Sequence, residues 1–292
     1  MSGALRGSFE GAAGASSGER PGTALFLSPH LDDAVFSCGG TLTLLARRGW
    51  RTVLLTAFTR SVPDPRGFAL ACQLDKGLPP EADYMHLRRK EDRRAADILG
   101  AGEVVHLDLA EAPHRGYESA AALFAGVREE DEVWRPLAEE LAGELERLGP
   151  RLVFAPQGLG SHVDHRQGIR ALLLALERVR RERAAREPEV LWYRDTPYAL
   201  QRPGALPPDT LPTGALERAV RVDAELEAKL AASAAYTTQV PFQFGPEVGL
   251  RAALWRFATE ESARLGEVGA AEVFLTTPGT ELPESPGGSG RA

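Results

Sequence analysis

Two short runs carry the chemistry this chain can offer: Pro29-His30-Leu31-Asp32-Asp33, and Ser161-His162-Val163-Asp164-His165. Imidazole nitrogens and carboxylate oxygens bind zinc, and two histidines with one carboxylate leave a coordination position open to water, the pattern of a catalytic rather than a structural site. His30, Asp33 and one of His162 or His165 make such a set. On the first turn of a helix His30 and Asp33 fall on one side at a spacing of three, and Asp32 beside them points elsewhere. One carboxylate can then hold a metal while its neighbour takes a proton from the water activated there. The same donor set also suits Fe²⁺.

These residues need elements to present them. Residues 24–27 form an apolar run of strand length, and Pro29, which cannot donate to a sheet, ends it. Asp32 or Asp33 can cap the helix that follows. Gly39-Gly40 inside that helix costs about 1 kcal/mol per glycine relative to alanine, which points to close approach of another backbone or of a substrate. A second apolar strand, 152–155, precedes the His162 run, and a helical pattern at 169–179 follows it. Both clusters therefore stand at carboxyl ends of strands, where open α/β sheets place their chemistry.

Further strands are predicted at 52–58, 103–107, 190–193, 220–222 and 272–275, with helices at 88–99, 131–148, 223–236 and 249–265. This alternation predicts an α/β fold, a Rossmann-like and mostly parallel sheet with helices on both faces, in a single domain over 23–276. No glycine-rich phosphate loop follows the first strand, so no nucleotide cofactor is implied. Residues 1–22 and 277–292 read as a flexible and a disordered tail. Neither a signal-peptide core nor a stretch near ~18 apolar residues is present, which makes a cytoplasmic protein without a membrane partner the default. A net charge of −7 argues against a nucleic-acid partner. With only Cys38 and Cys72, no disulfide framework is expected.

Pro29-His30-x-Asp32-Asp33 followed by Gly39-Gly40, with His162-x-Asp164-His165 downstream, resembles the zinc-dependent N-acetylglucosaminyl de-N-acetylases of the PIG-L or LmbE-like family. The likeness extends to Arg88-x-x-Glu91 and Lys229-x-x-Ala232-x-x-x-Tyr236-x-x-Gln239, and so over roughly residues 23 to 275. It implies a hydrolase that removes acetyl from an N-acetylglucosamine-type sugar or glycoside. His30, Asp33 and His165 would hold Zn²⁺, or Fe²⁺ in its place. Asp32 would be the base, and His162 would face the reacting carbonyl and, if protonated, hand a proton to the leaving amine. Asp164 would orient a histidine, and Arg88 would contact the substrate. The long connections 60–87 and 108–130, the latter with His114, Arg115 and Tyr117, would surround the site.

Two departures bear on substrate choice or on how the oxyanion is held: Gly160 stands where some relatives carry tyrosine, and Ala34 where many carry glutamate. A small N-acetylated sugar is the partner expected, and a homo-oligomer is compatible with the chain. A metallophosphoesterase needs more bridging carboxylates than the two clusters supply. A non-catalytic sugar-binding protein of the same fold would have no use for Asp32 and His162.

Overall fold

The computed structural model describes residues 21–182, 187–208, 211, 214–245, 247–280 and 282–283, with only the backbone of 182, 247 and 248. The elements are β1 (Thr23–Ser28), α1 (Asp33–Arg47), β2 (Arg51–Thr56), α2 (Gly67–Leu74), α3 (Tyr84–Leu99), β3 (Glu103–His106), α4 (Trp134–Leu148), β4 (Leu152–Pro156), α5 (Val163–Glu182), β5 (Glu189–Tyr193), α6 (Tyr198–Gln201), β6 (Leu216–Arg221), α7 (Leu226–Ser233), α8 (Val240–Gln243), α9 (Glu247–Arg264) and β7 (Ala271–Thr276).

The sheet order is β3-β2-β1-β4-β5-β7-β6. The first five of these are parallel, and β7 runs antiparallel to both β5 and β6. Side chains alternate across the sheet, so Ala24 and Phe26 enter one core and Leu25 and Leu27 the other. Both faces are buried, which is why β1 and β4 read as unbroken apolar runs. Phe26 and Phe154, on neighbouring strands, stack at 4.3 Å. At β1 the strand order reverses, and the crevice there opens at the carboxyl ends of β1 and β4.

Both long connections hold structure that periodicity does not reveal. Within 60–87 lies α2, and α3 begins at Tyr84 rather than Arg88 because the Asp83 carboxylate accepts the His86 N–H at 2.8 Å. The Gln73 amide donates to the carbonyls of Pro79, Pro80 and Ala82 and ties the proline-rich turn to α2. Residues 108–130 contain two 3₁₀ turns, Ala112–His114 and Ala122–Phe124. Arg115 and Tyr117 turn inward to the Asp131 carboxylate, so they are scaffold rather than sugar contacts.

The glycine pair also has a different cause from the one expected. α1 leaves helical geometry at Cys38 (φ −138°, ψ 26°). Glu272 of β7 accepts from the N–H groups of Gly40 (2.9 Å) and Thr41 (2.7 Å), and Lys229 Nζ, 2.7 Å from Glu272, also donates to the Ser37 carbonyl. A Cβ on Gly40 would lie 2.9 Å from Val222 Cβ and 3.0 Å from a Glu272 oxygen. Two side chains approach there, not a second backbone or a substrate.

Beyond Thr276, Thr280 is buried and Leu282 packs on the core; of the two expected tails, residues 1–20, 281 and 284–292 lie outside the described residues. No helix among the described residues is long and apolar enough to cross a membrane.

Candidate active site

The turn after β1 is closed by Ser28, not by an aspartate cap. Ser28 Oγ accepts the Ala34 N–H at 3.0 Å and donates to the His30 carbonyl at 2.6 Å. Freed from capping, Asp33 folds back, and its Oδ2 accepts the His30 N–H at 2.8 Å. The same oxygen lies 3.1 Å from His30 Nδ1 and 3.2 Å from His165 Nε2, which arrives at the start of α5. His165 Nε2 is buried and makes no hydrogen bond despite that proximity. Two atoms that share one ion show this relation. Ligands about 2.0–2.2 Å from a tetrahedral zinc sit roughly 3.3–3.6 Å apart, close to the spacings observed.

Hydrogen bonding fixes which ring nitrogens are free. His30 Nε2 lies 3.0 Å from Asp164 Oδ2, and His165 Nδ1 lies 2.6 Å from Asp195 Oδ1. In the neutral rings each carboxylate takes the ring N–H and leaves the opposite nitrogen's lone pair toward Asp33, the usual support of a metal-binding imidazole. Asp164 is itself held by the Ala112 N–H and by Arg115, and Asp195 by the Leu159 N–H. Burial opposes charge on His165, yet Asp33 and Asp195 push its pKa up to about 9. A cation is thus favoured at this point.

His162 differs, although a ligand atom of each of the three histidines lies within 4.8 Å of the others. Its Nδ1 accepts the Asp164 N–H at 3.2 Å, so the neutral ring carries its proton on Nε2. Burial, then the charge on His30, lower its pKa to about 3. Its burial thus favours a neutral His162 that offers Nε2–H as a hydrogen-bond donor.

The two adjacent carboxylates are driven apart. Burial and then Asp33 raise Asp32 to about 7, against the pull of Arg88 and His30. Burial opposes the charge on Asp33 as well, but His165 and His30 hold it well below the usual range. Among the described residues, the Asp32 carboxylate accepts from Gln243 Nε2 (3.3 Å) and lies 3.7 Å from Arg88. A carboxyl group poised near neutrality and not bound into the cluster is equipped to take a proton.

Above these groups opens a cavity of about 350 Å³. Arg88, buried on α3, forms one wall with Glu111, to which it is hydrogen-bonded, and with the Tyr84 ring. Phe124 and Tyr198 form the opposite wall, and Phe242 stands exposed at the mouth. Cys72, on α2, lines the cavity, while Cys38 is buried in the core. His114 lies outside it. A more open groove of about 560 Å³ between α4 and α5 holds no comparable cluster.

All seven residues singled out from the sequence, His30, Asp32, Asp33, Arg88, His162, Asp164 and His165, meet around this one cavity or directly beneath it. The late motif is mostly scaffold: Tyr236 donates to Asp92, Lys229 pairs with Glu272, and Gln239 reaches Tyr84. Asp195, Glu111 and Tyr198 escaped sequence reasoning. The one available signal was the position of Asp195, two residues past the carboxyl end of β5.

The family model described as PIG-L, GlcNAc-PI de-N-acetylase, matches residues 25–176, a span that includes both clusters. A 2'-N-acetylparomamine deacetylase of Streptomyces fradiae is 36% identical over 183 residues, 63% of this chain, and the match spans only 60% of that relative's length. Another protein of that name, from Niallia circulans, is 27% identical over 76% of this chain and 82% of its own. The crystal structure of the A40926 pseudoaglycone deacetylase matches with a TM-score of 0.72 and 28% identity, covering 88% of this chain and 97% of that one. Motif, fold and family model agree: the chain belongs to the PIG-L family.

Proposed function

We propose that this protein is a zinc-dependent deacetylase that hydrolyses the acetamide of an N-acetylated amino sugar or its glycoside. The observation that carries the reading is the buried, unbonded His165 Nε2 facing Asp33 and His30, next to an Asp32 that stays outside the cluster with its pKa near 7. His30 Nδ1, Asp33 Oδ2 and His165 Nε2 would hold the ion. When bound, zinc supplies Lewis acidity toward the amide carbonyl and brings the pKa of water toward about 7. Fe²⁺ fits the same donors.

The rest of the work falls to the chain's own groups. Asp32 takes a proton from the attacking water and returns it to the nitrogen as the C–N bond breaks, so that water and amide become acetate and amine. His162 Nε2–H points a neutral donor at the carbonyl oxygen as charge builds on it. Asp164 and Asp195 keep His30 and His165 in the tautomers that this arrangement needs. Arg88 and Glu111 offer a donor and an acceptor side by side, which suits the hydroxyls of one sugar ring. A cavity of about 350 Å³ takes about one acetylated sugar unit, so a larger aglycone would extend through the mouth. The names of the relatives support an antibiotic-type amino sugar as the substrate class.

Incubating the protein with a panel of N-acetylated amino sugars, and following loss of an acetyl group by mass spectrometry, tests the reading. Acetate release should stop with chelator and return with zinc or Fe²⁺. If no acetylated sugar is cleaved with either metal while p-nitrophenyl phosphate is, the protein is a phosphoesterase; if neither is cleaved, it is a binding protein.

A further inference from the structure

We propose that Tyr198 is a catalytic residue whose hydroxyl donates a hydrogen bond to the acetyl carbonyl oxygen as that oxygen becomes anionic, alongside His162. The proposal rests on the deacetylase reading above.

Its placement is tied to the metal-binding end of the cavity. Asp195, which fixes His165, accepts the Ala199 N–H on its backbone carbonyl at 2.8 Å, so one short segment both orients a ligand histidine and starts the turn that bears Tyr198. The Tyr198 ring lies 5.4 Å from that of His165, and it lies nearly parallel to His162 at 6.3 Å and 27°. It lines the same cavity as Asp32 and His162.

The hydroxyl is also unclaimed. The chain has five tyrosines. Tyr84, Tyr117, Tyr193 and Tyr236 bond through their hydroxyls to Gln239, Asp131, the Leu27 carbonyl and Asp92. Tyr198, half-buried on the cavity wall, makes no such bond among the described residues and is free to meet a ligand there. The turn opposite is shaped to admit it. Gly160 sits at φ +81°, and a Cβ there would lie 2.9 Å from both Cβ and Cγ of Tyr198. The space a side chain at 160 would need is filled by Tyr198, from a different element, two residues before His162.

Tyr198→Phe keeps the ring and its packing and removes only the donor. On the metal-loaded enzyme, with an acetylated sugar that the wild type cleaves, kcat should fall on the order of 10²-fold, the effect of losing one oxyanion donor. Metal content by elemental analysis and KM should stay unchanged. Affinity for the methylphosphonamidate analogue, whose anionic P–O stands where the oxyanion forms, should fall with kcat/KM, while inhibition by the product amine should not change. An unaltered kcat overturns the proposal, and so does a raised KM at constant kcat, which would make the phenol a contact to a sugar hydroxyl. Gly160→Ala, which displaces the ring and leaves the phenol intact, should lower kcat at unchanged metal content; full activity there overturns the proposal as well. Should the wild type release no acetate from any acetylated sugar, the deacetylase reading itself fails and takes this role with it.

Discussion

Asp32 and Asp33 are chemically identical neighbours, and the turn they share gives them opposite proton affinities, about 7 for Asp32 and well below the usual range for Asp33. Asp33→Asn should lose metal and recover part of its activity in excess zinc. Asp32→Asn should keep metal and KM while kcat falls by about 10²–10⁴. In the wild type, kcat/KM should drop as pH falls through the Asp32 pKa, because the protonated carboxyl cannot accept from water. A bound cation favours the carboxylate, so this acid limb lies at or below about 7 in the loaded enzyme, and Asp32→Asn should abolish it. Elemental analysis and pH–rate profiles check both statements; zinc rescue of Asp32→Asn in place of Asp33→Asn would show the roles reversed. The spacing of this pair was legible in the sequence. What separates its members, the His30 N–H bonded to Asp33, was not. Asp195, Glu111 and Tyr198 were illegible for a related reason: each stands alone in its stretch of chain and acquires partners only when β5, α3 and α5 converge.

Helix α1 is an element made of two pieces, and its second piece is capped from the far side of the molecule by Glu272. Glu272→Ala leaves two buried N–H groups unpaired and the Lys229 ammonium enclosed without its counter-charge. Loss of about 3–5 kcal/mol is expected by urea unfolding, of which adding Lys229→Met should restore a part. An unchanged denaturation midpoint in Glu272→Ala would mean that the pair contributes nothing to the fold. Gly39-Gly40 announced a close approach here but not its source, since Glu272 is remote in sequence. Strands and long helices were readable because their two periodicities differ. α2 was not, because eight residues between prolines carry too little period, and the polar start of α3 hid a cap at Asp83.

Across the whole molecule, the proposed ligands join the turn after β1 to the start of α5, two segments that are otherwise linked by the His30–Asp164 hydrogen bond. Zinc should therefore raise the melting temperature, by the equivalent of about 2.7 kcal/mol at a hundredfold excess over Kd. Calorimetry with and without chelator measures this, and the rise at the same zinc concentration should be much smaller in Asp33→Asn. Alternating strands and helices made the parallel α/β class legible; strand order was not, because nothing local tells β7 to enter between β5 and β6 rather than at the edge. That insertion has a bearing on how the protein is made. Strands β1 to β5 can pair as they leave the ribosome, but the second half of α1 waits, with bare N–H groups, for a glutamate translated 232 residues after Gly40. The first cluster, His30 to Asp33, is synthesised early and stands on a helix whose cap comes late, so a chain stalled before residue 272 would hold these side chains without a finished support beneath them.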